Sequence, residues 1–152
     1  RLGKSVNCVI RSFGLIFINK QHIMTIILLC LLIAVLMPII AKAPLTIAMN
    51  KEQGGYDNRY PRDQQKQLKG FGARAAAAHA NCFEALILFV PGALAVIATQ
   101  SAGHLAQYSA IVFIATRFGY LCAYWFDMHV LRSILWAIGY IASLFLIWLA
   151  IP

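Results

Sequence analysis

Four long runs of apolar residues, separated by short polar segments, make up most of this chain. Each run has about 20 residues or more, and an α-helix of that length crosses a hydrocarbon core about 30 Å thick. The only substantial polar loop lies between the first two runs. The pattern therefore predicts an all-α membrane protein, a four-helix bundle with a 50–72 loop and spans at about residues 25–49, 73–99, 107–126 and 132–151.

Composition supports this class. Of the 152 residues, 61% are hydrophobic and 12% are charged, whereas soluble domains are about half apolar and a quarter charged. The net charge of +8 does not indicate a nucleic-acid partner, because the Lys and Arg residues lie between apolar runs. Cytoplasmic loops are enriched in Lys and Arg. We therefore expect the 50–72 loop and the Arg132 end of the fourth span in the cytoplasm, and both chain ends outside.

The N-terminal residues 1–23 leave two interpretations open. Four basic residues flank a short apolar run at residues 13–18, which is too short to span a bilayer. The stretch is either an interfacial helix or sequence upstream of a true start at Met24. The second interpretation fits the expected topology better, because a basic segment is unfavourable on the outer side.

The Cys and His residues do not indicate a metal centre. The four Cys show no C-x-x-C spacing and the four His show no H-E-x-x-H spacing. We expect neither a metal site nor a disulfide framework.

Ionisable residues inside apolar spans are costly and are therefore candidates for function. At 100° per residue, Arg74, Asn81 and Glu84 share one stripe of the second span. His79 points away from that stripe, toward a different neighbour, another subunit or the headgroups. The other two clusters are Arg117, Tyr120, Tyr124 and Asp127 on the third span, and Arg132, Ser133, Trp136, Gly139, Tyr140 and Ser143 on the fourth.

Depth along the helices relates two of these charges. At 1.5 Å per residue, Glu84 lies about 16 Å and Arg117 about 15 Å from the cytoplasmic ends of their antiparallel spans. An unpaired charge at that depth is more costly than a pair, so we expect a Glu84–Arg117 ion pair near the bilayer midplane. The outer halves of the last three spans carry no charged residue, which disfavours an ion or proton path and hence a transporter.

The clusters by themselves permit two interpretations. An Arg–Glu pair can simply hold helices together, and Tyr and Trp near span ends can form an aromatic belt. Alternatively, the polar side chains form a pocket for a small anionic ligand from the cytoplasm. Arg binds carboxylates with paired hydrogen bonds, and an electropositive setting lowers the pKa of a thiol.

Three motifs resemble one known family. His79-Ala-Asn81-Cys-Phe-Glu84 resembles the H-x-N-x-x-E signature of MAPEG proteins, the membrane-associated proteins in eicosanoid and glutathione metabolism. Arg117 followed by Tyr124 resembles the family's Arg…Tyr pair, and Arg132-Ser133 resembles the Arg-Ser of the prostaglandin E synthase branch. The resemblance covers about residues 24–152, and the loop looks like that of bacterial members, which implies an inner-membrane location.

The resemblance implies a homotrimer that binds glutathione between neighbouring subunits on the cytoplasmic side. It implies a glutathione transferase or peroxidase acting on a lipophilic substrate that arrives from the bilayer. Arg132 or Ser133 would be the catalytic residue, because it would lie nearest the glutathione thiol and stabilise the thiolate. The implied glutathione contacts or their supports are Arg74, Asn81, Glu84, Arg117, Tyr120, Tyr124 and Arg132.

Three departures from the family pattern keep an alternative open. Ala77 stands where many glutathione-using members have Arg, and Trp136 stands where several have Tyr. The interval from Tyr124 to Arg132 is one residue shorter than in the prostaglandin synthase branch. Some members bind lipid without catalysis, so the alternative function is a non-catalytic lipid-binding or scaffolding membrane protein.

Overall fold

The computed structural model describes the backbone of residues 2–152 and the side chains of residues 18–152. The interpretation of residues 1–23 falls largely outside these described side chains. The described chain forms five helices in order along the sequence: α1 (Leu2–Asn50), α2 (Pro61–Gln67), α3 (Phe71–Ala98), α4 (His104–Trp125) and α5 (His129–Leu149).

Four of these helices are long and apolar enough to cross a membrane: Ile18–Asn50 within α1, and the whole of α3, α4 and α5. The prediction of an all-α protein with four membrane spans is confirmed. The candidate span within α1, Ile18–Asn50, has 33 residues and is therefore about 50 Å long. Because this exceeds a hydrocarbon core of about 30 Å, α1 extends beyond the core. The short helix α2 within the 50–72 loop was not predicted.

Helices α3 and α4 lie at the centre of the bundle, and α1 and α5 each pack against both of them. The core between the central helices includes Phe89 and Phe113, whose rings stack in parallel with centroids 4.0 Å apart. Many large apolar side chains on the outside remain exposed, among them Ile39 and Ile87, at 69% and 72%. This arrangement suits a lipid environment, in which apolar side chains cover the outer surface.

Small residues let α5 approach its neighbours closely. A Cβ atom added to Gly92 of α3 would lie 3.0 Å from Leu146 Cβ and 3.1 Å from the Ser143 carbonyl oxygen of α5. Transmembrane helices commonly pack through small residues, because these allow backbones to come together. Gly92 therefore sets the spacing of α3 and α5.

One glutamine organises the loop that precedes α3. Gln64 Nε2 donates hydrogen bonds to the carbonyl oxygens of Met49 (3.1 Å) and Gly55 (2.7 Å), and its Oε1 accepts one from Asp57 N (3.0 Å). These bonds tie α2 to the end of α1. They thereby hold Arg62, which lies on α2, beside the interface of α1 and α3.

Candidate functional site

A buried arginine lies at the contact between α3 and α4. Arg117 is 3% exposed, and its Nη2 donates a hydrogen bond to Asn81 Oδ1 at 2.7 Å. Asn81 Nδ2 in turn donates to Glu84 Oε2 at 2.7 Å. The amide of Asn81 thus links the carboxylate of Glu84 to the guanidinium of Arg117, so each of the three side chains has a hydrogen-bond partner.

The predicted direct ion pair between Glu84 and Arg117 is wrong. Among the side chains described from Ile18 onward, the ion pairs are Lys66–Asp63 and Arg74–Asp127. The physical reason is the register of α3 and α4. Arg117 lies level with Asn81, and Glu84 is three residues, about 5 Å, farther along α3. The nearer Asn81 amide therefore accepts the hydrogen bond from the Arg117 guanidinium, and the Glu84 carboxylate accepts one from the same amide.

Aromatic rings continue the contact from Arg117 toward the loop end of the bundle. The Arg117 guanidinium carbon lies 4.1 Å from the ring centroid of Tyr120, which is itself buried. The rings of Tyr120 and Tyr124 meet edge to face with centroids 5.1 Å apart. Arg132 of α5 places its guanidinium carbon 4.5 Å from the centroid of Tyr124. Two arginines therefore lie against two rings that touch each other, within the range of cation–π attraction.

Arg74 joins the same cluster from the first turns of α3. Its Nε donates to the backbone oxygen of Tyr124 at 3.2 Å, and its Nη1 lies 3.3 Å from Asp127 Oδ2. Seven of the eight residues selected from the sequence thus form one connected set, which we call the arginine cluster: Arg74, Asn81, Glu84, Arg117, Tyr120, Tyr124 and Arg132.

The eighth residue, Ser133, lies apart from these contacts. Its hydroxyl donates to the backbone oxygen of His129, one turn earlier in α5, at 3.1 Å, and its side chain is exposed. Back-bonding of this kind is common for Ser in helices. The structure therefore brings Arg132, rather than Ser133, to the cluster.

A small open cavity borders the cluster between α3, α4 and α5. Its volume is about 100 Å³, and Glu84 and Arg117 form its polar wall. The stacked rings of Trp136 and Tyr140, with centroids 5.1 Å apart, lie on its α5 side. Gly139 lets α5 lie close to α4 at this point, since an added Cβ would lie 3.0 Å from Thr116 Oγ1.

Sequence reasoning missed a second concave surface, between α1 and α3. This groove has a volume of about 700 Å³, and Lys42, Arg62 and His79 line it together. His79 is buried and meets Phe83 edge to face. Helical periodicity correctly placed His79 on a different face of α3 from Arg74, Asn81 and Glu84. In the structure, Lys42 lies eight residues before the end of α1 and His79 lies eight residues after the start of α3, so the two lie at a similar depth.

The arrangement of the arginine cluster suits an anionic ligand. Three guanidinium groups face two carboxylates, those of Glu84 and Asp127, which leaves an excess of positive charge. Arg binds carboxylates in a bidentate fashion more readily than Lys does. A thiol beside such a cluster ionises more readily, because positive charge stabilises the thiolate.

Comparison with known proteins identifies the family. The model of the MAPEG family matches residues 26–152, which include all four candidate membrane spans except the start of the first one in α1. Neither a search of curated proteins nor a search of solved structures returned a match. The family match covers most of the chain, including every residue of the arginine cluster. The chain is therefore a multi-pass integral membrane protein that belongs to the MAPEG family.

Proposed function

We propose that this protein binds glutathione and acts as a membrane-bound glutathione transferase or peroxidase on lipophilic electrophiles. We place it in a bacterial inner membrane, with the 50–72 loop in the cytoplasm. The observation that carries the proposal is the chain of contacts that links Glu84, Arg117 and Arg132 at one end of the bundle.

The charges of the cluster complement those of glutathione, which has two carboxylates, one ammonium group and one thiol. Arg117 and Arg74 supply cations for the carboxylates, and Glu84, which is exposed within one protomer, supplies an anion for the ammonium group. Arg132 has no ion-pair partner among the side chains of residues 18–152. Its charge therefore remains to balance a thiolate.

The size of the cavity supports a site shared between subunits. Pockets for ligands of this size occupy about 300 Å³ or more, whereas the cavity beside Arg117 has about 100 Å³. One protomer therefore encloses only one end of a tripeptide, and the remainder lies along the outer faces of α3 and α5. A neighbouring copy would cover it, which agrees with a homotrimer.

Arg132 performs the central step by stabilising the glutathione thiolate. The thiol loses its proton to solvent, because the guanidinium over the Tyr124 ring stabilises the negative sulfur. In transfer, sulfur forms a bond to an electrophilic carbon and the leaving group departs with its electron pair. In peroxide reduction, sulfur attacks the terminal oxygen and the O–O bond breaks. The alcohol leaves with a proton, and a second glutathione converts the sulfenic acid to the disulfide and water.

The lipophilic substrate would reach the thiolate from the bilayer along α5. Trp136 and Tyr140 are 45% and 38% exposed and lie beside the cavity. They give an apolar, aromatic wall between the membrane and the charged groups. This wall admits an apolar substrate and limits the access of water to the reacting sulfur.

Conjugation kinetics test the proposal. The purified protein in detergent is assayed with glutathione and 1-chloro-2,4-dinitrobenzene, for wild type, Arg132→Ala and the control Arg59→Ala. Arg59 is an exposed loop arginine that stacks on Tyr60. We expect a fall of about tenfold or more for Arg132→Ala, because one charge-assisted contact is lost. An unchanged rate in Arg132→Ala contradicts the proposed catalysis. So does a wild-type protein that is inactive with both 1-chloro-2,4-dinitrobenzene and a lipid hydroperoxide.

A second candidate is a non-catalytic lipid-binding or scaffolding protein of the same family. The placement of Ser133 favours it, since the hydroxyl is bonded to its own helix. Trp136 adds no hydroxyl at the position where several members carry Tyr. Tight copurification of lipid, together with no effect of glutathione on thermal stability, would support this function over catalysis.

A further inference from the structure

An exposed pair of aromatic rings lies on α5 beside the arginine cluster. The rings of Trp136 and Tyr140 stack with centroids 5.1 Å apart and an angle of 24° between their planes. Both line the cavity whose polar wall is formed by Glu84 and Arg117. Arg132, Trp136 and Tyr140 follow one another at intervals of four residues, so they lie along one stripe of α5, about 6 Å apart. The aromatic pair therefore begins one turn from the guanidinium that is proposed to stabilise the thiolate.

The depth of the pair distinguishes it from an aromatic belt. Helix α5 has 21 residues, about 30 Å, which is close to the thickness of a hydrocarbon core. Tyr140 lies 11 residues after the first residue of α5, or about 16 Å along the helix. Belt residues lie at the membrane–water interfaces, whereas Tyr140 lies halfway along its span. Its exposed ring therefore has a role other than interfacial anchoring.

The Tyr140 hydroxyl is available to a ligand. The described side-chain hydrogen bonds of α5 are those of Ser133 and Ser143, which donate to backbone oxygens of the same helix. The Tyr140 hydroxyl thus has no hydrogen-bond partner among residues 18–152. A hydroxyl without a partner is unfavourable in hydrocarbon. A ligand that brings an acceptor, such as a carbonyl oxygen, would satisfy it.

The aromatic pair also favours one shape of substrate over another. An acyl chain in the bilayer is already surrounded by apolar groups, so an apolar protein wall gives it little further stabilisation. A planar ring does gain, because it can stack on the exposed indole of Trp136. The gain is greatest for an electron-poor ring, since indole and phenol rings are electron-rich. Stacking and the free hydroxyl together select a planar, electron-poor ring that carries a carbonyl group.

Building on the proposed function, we propose that the electrophile is a membrane-soluble quinone whose ring stacks on Trp136 and whose carbonyl oxygen accepts a hydrogen bond from Tyr140. The glutathione sulfur forms a bond to the ring carbon β to that carbonyl, and the C=C electron pair moves to the carbonyl oxygen. The Tyr140 hydroxyl stabilises this developing oxyanion. The oxygen then takes up one proton from solvent, which balances the proton lost by the thiol. Transfer of the ring proton to the second oxygen gives the glutathionyl hydroquinone, and no external oxidant or reductant is needed.

The test compares two substrates in the purified full chain in detergent: 2-methyl-1,4-naphthoquinone and linoleic acid hydroperoxide. Formation of the glutathionyl adduct and loss of the hydroperoxide are measured at saturating glutathione, with the uncatalysed rates subtracted. The readout is the ratio of kcat/KM for the quinone to kcat/KM for the hydroperoxide. A general loss of folding or of thiolate lowers both values and leaves this ratio unchanged.

Two variants and two matched controls apply this readout. Tyr140→Phe keeps the ring and removes the donor, so the ratio should fall about tenfold or more. Trp136→Leu removes the stacking surface and should lower the ratio about threefold to tenfold. The controls are Tyr108→Phe and Trp148→Leu, which alter rings that are 59% and 63% exposed and lie outside the cavity. Both controls should keep the wild-type ratio.

The outcomes separate this inference from the proposed function. Hydroperoxide turnover without quinone conjugation in the wild-type protein would overturn the quinone proposal and leave glutathione catalysis standing. An unchanged ratio in Tyr140→Phe and Trp136→Leu would overturn the roles of both side chains. If their melting temperatures fall while the ratio is unchanged, the pair serves to pack α5 against a neighbour, which also overturns the proposal. A wild-type protein that turns over neither substrate would contradict both the inference and the proposed function.

Discussion

The buried guanidinium of Arg117 is held by Asn81, whose Oδ1 accepts a hydrogen bond from Arg117 Nη2 at 2.7 Å. A neutral amide, rather than a carboxylate, is therefore the first partner of this charge. Glu84 acts through the amide, so its negative charge does not directly neutralise the guanidinium. This arrangement secures Arg117 within the bundle and leaves much of its charge available to an anionic ligand.

Replacement of Asn81 by leucine should destabilise the bundle by about 1–3 kcal/mol, because a buried charged donor loses its acceptor. Thermal unfolding in detergent measures this loss. Asn58→Leu is the control, since Asn58 lies exposed in the loop and its replacement should change stability little. Equal stability of Asn81→Leu and wild type would show that Arg117 does not depend on the amide.

Glu84→Gln distinguishes the relay from a direct ion pair. The glutamine oxygen can still accept the hydrogen bond from Asn81 Nδ2, so we expect a smaller loss of stability than in Asn81→Leu. If the two substitutions cost the same, or if Glu84→Gln costs more, Glu84 must contact Arg117 directly. The measurement is the same unfolding experiment with both variants side by side.

The sequence predicted the helices well because long apolar runs are a strong signal, and periodicity correctly assigned Arg74, Asn81 and Glu84 to one stripe. It failed for the Glu84–Arg117 pair. Depth counted from approximate span ends carries an error of several residues. An error of three residues, about 5 Å, is enough to exchange Glu84 for Asn81 as the partner of Arg117.

Tyr124 is predicted to act through its ring rather than its hydroxyl. The ring lies under Arg132, so Tyr124→Phe should keep glutathione turnover near the wild-type level. Tyr124→Leu removes the aromatic face and, under the proposed function, should lower kcat more than it changes KM for glutathione, because Arg132 loses the ring that positions its guanidinium. A Phe variant as impaired as the Leu variant would assign the role to the hydroxyl. Steady-state kinetics of both variants provide the comparison.

Gly92 should not tolerate even a methyl group. In Gly92→Ala the added Cβ meets Leu146 Cβ at 3.0 Å and a backbone oxygen at 3.1 Å, so α3 and α5 must separate. We expect a loss of about 1–3 kcal/mol, the usual cost of overpacking. The matched control is Gly103→Ala, whose nearest contact is 3.9 Å. Thermal unfolding of the two variants should differ clearly, and equal melting temperatures would contradict the close packing of the two helices.

Asp127 combines a surface ion pair with an unusual backbone conformation. Its φ is 62°, and its side chain, 68% exposed, pairs with Arg74. Asp127→Asn keeps a residue that tolerates positive φ and should cost less than about 1 kcal/mol, as exposed ion pairs do. Asp127→Val forces a β-branched residue into that conformation and should cost about 1–3 kcal/mol. A larger loss of thermal stability in Asp127→Asn than in Asp127→Val would show that charge, rather than backbone conformation, stabilises this turn.

The groove between α1 and α3 was missed for a different physical reason. Helix α1 is aliphatic on nearly all sides, so its sequence does not show which face packs on α3 and which faces lipid. Arg62 lies on α2, a seven-residue helix within a loop whose conformation depends on the tertiary hydrogen bonds of Gln64. Such contacts are not encoded in any local pattern.

Equilibrium titration of the purified protein with glutathione measures the first step of the proposed function, which is ligand binding. Calorimetry in buffers of different ionisation enthalpy reports both binding and the proton released when the thiol ionises. We predict saturable binding at millimolar or lower glutathione with release of a proton, and binding without proton release in Arg132→Ala. Absence of binding to the wild-type protein at millimolar glutathione would contradict the proposed function.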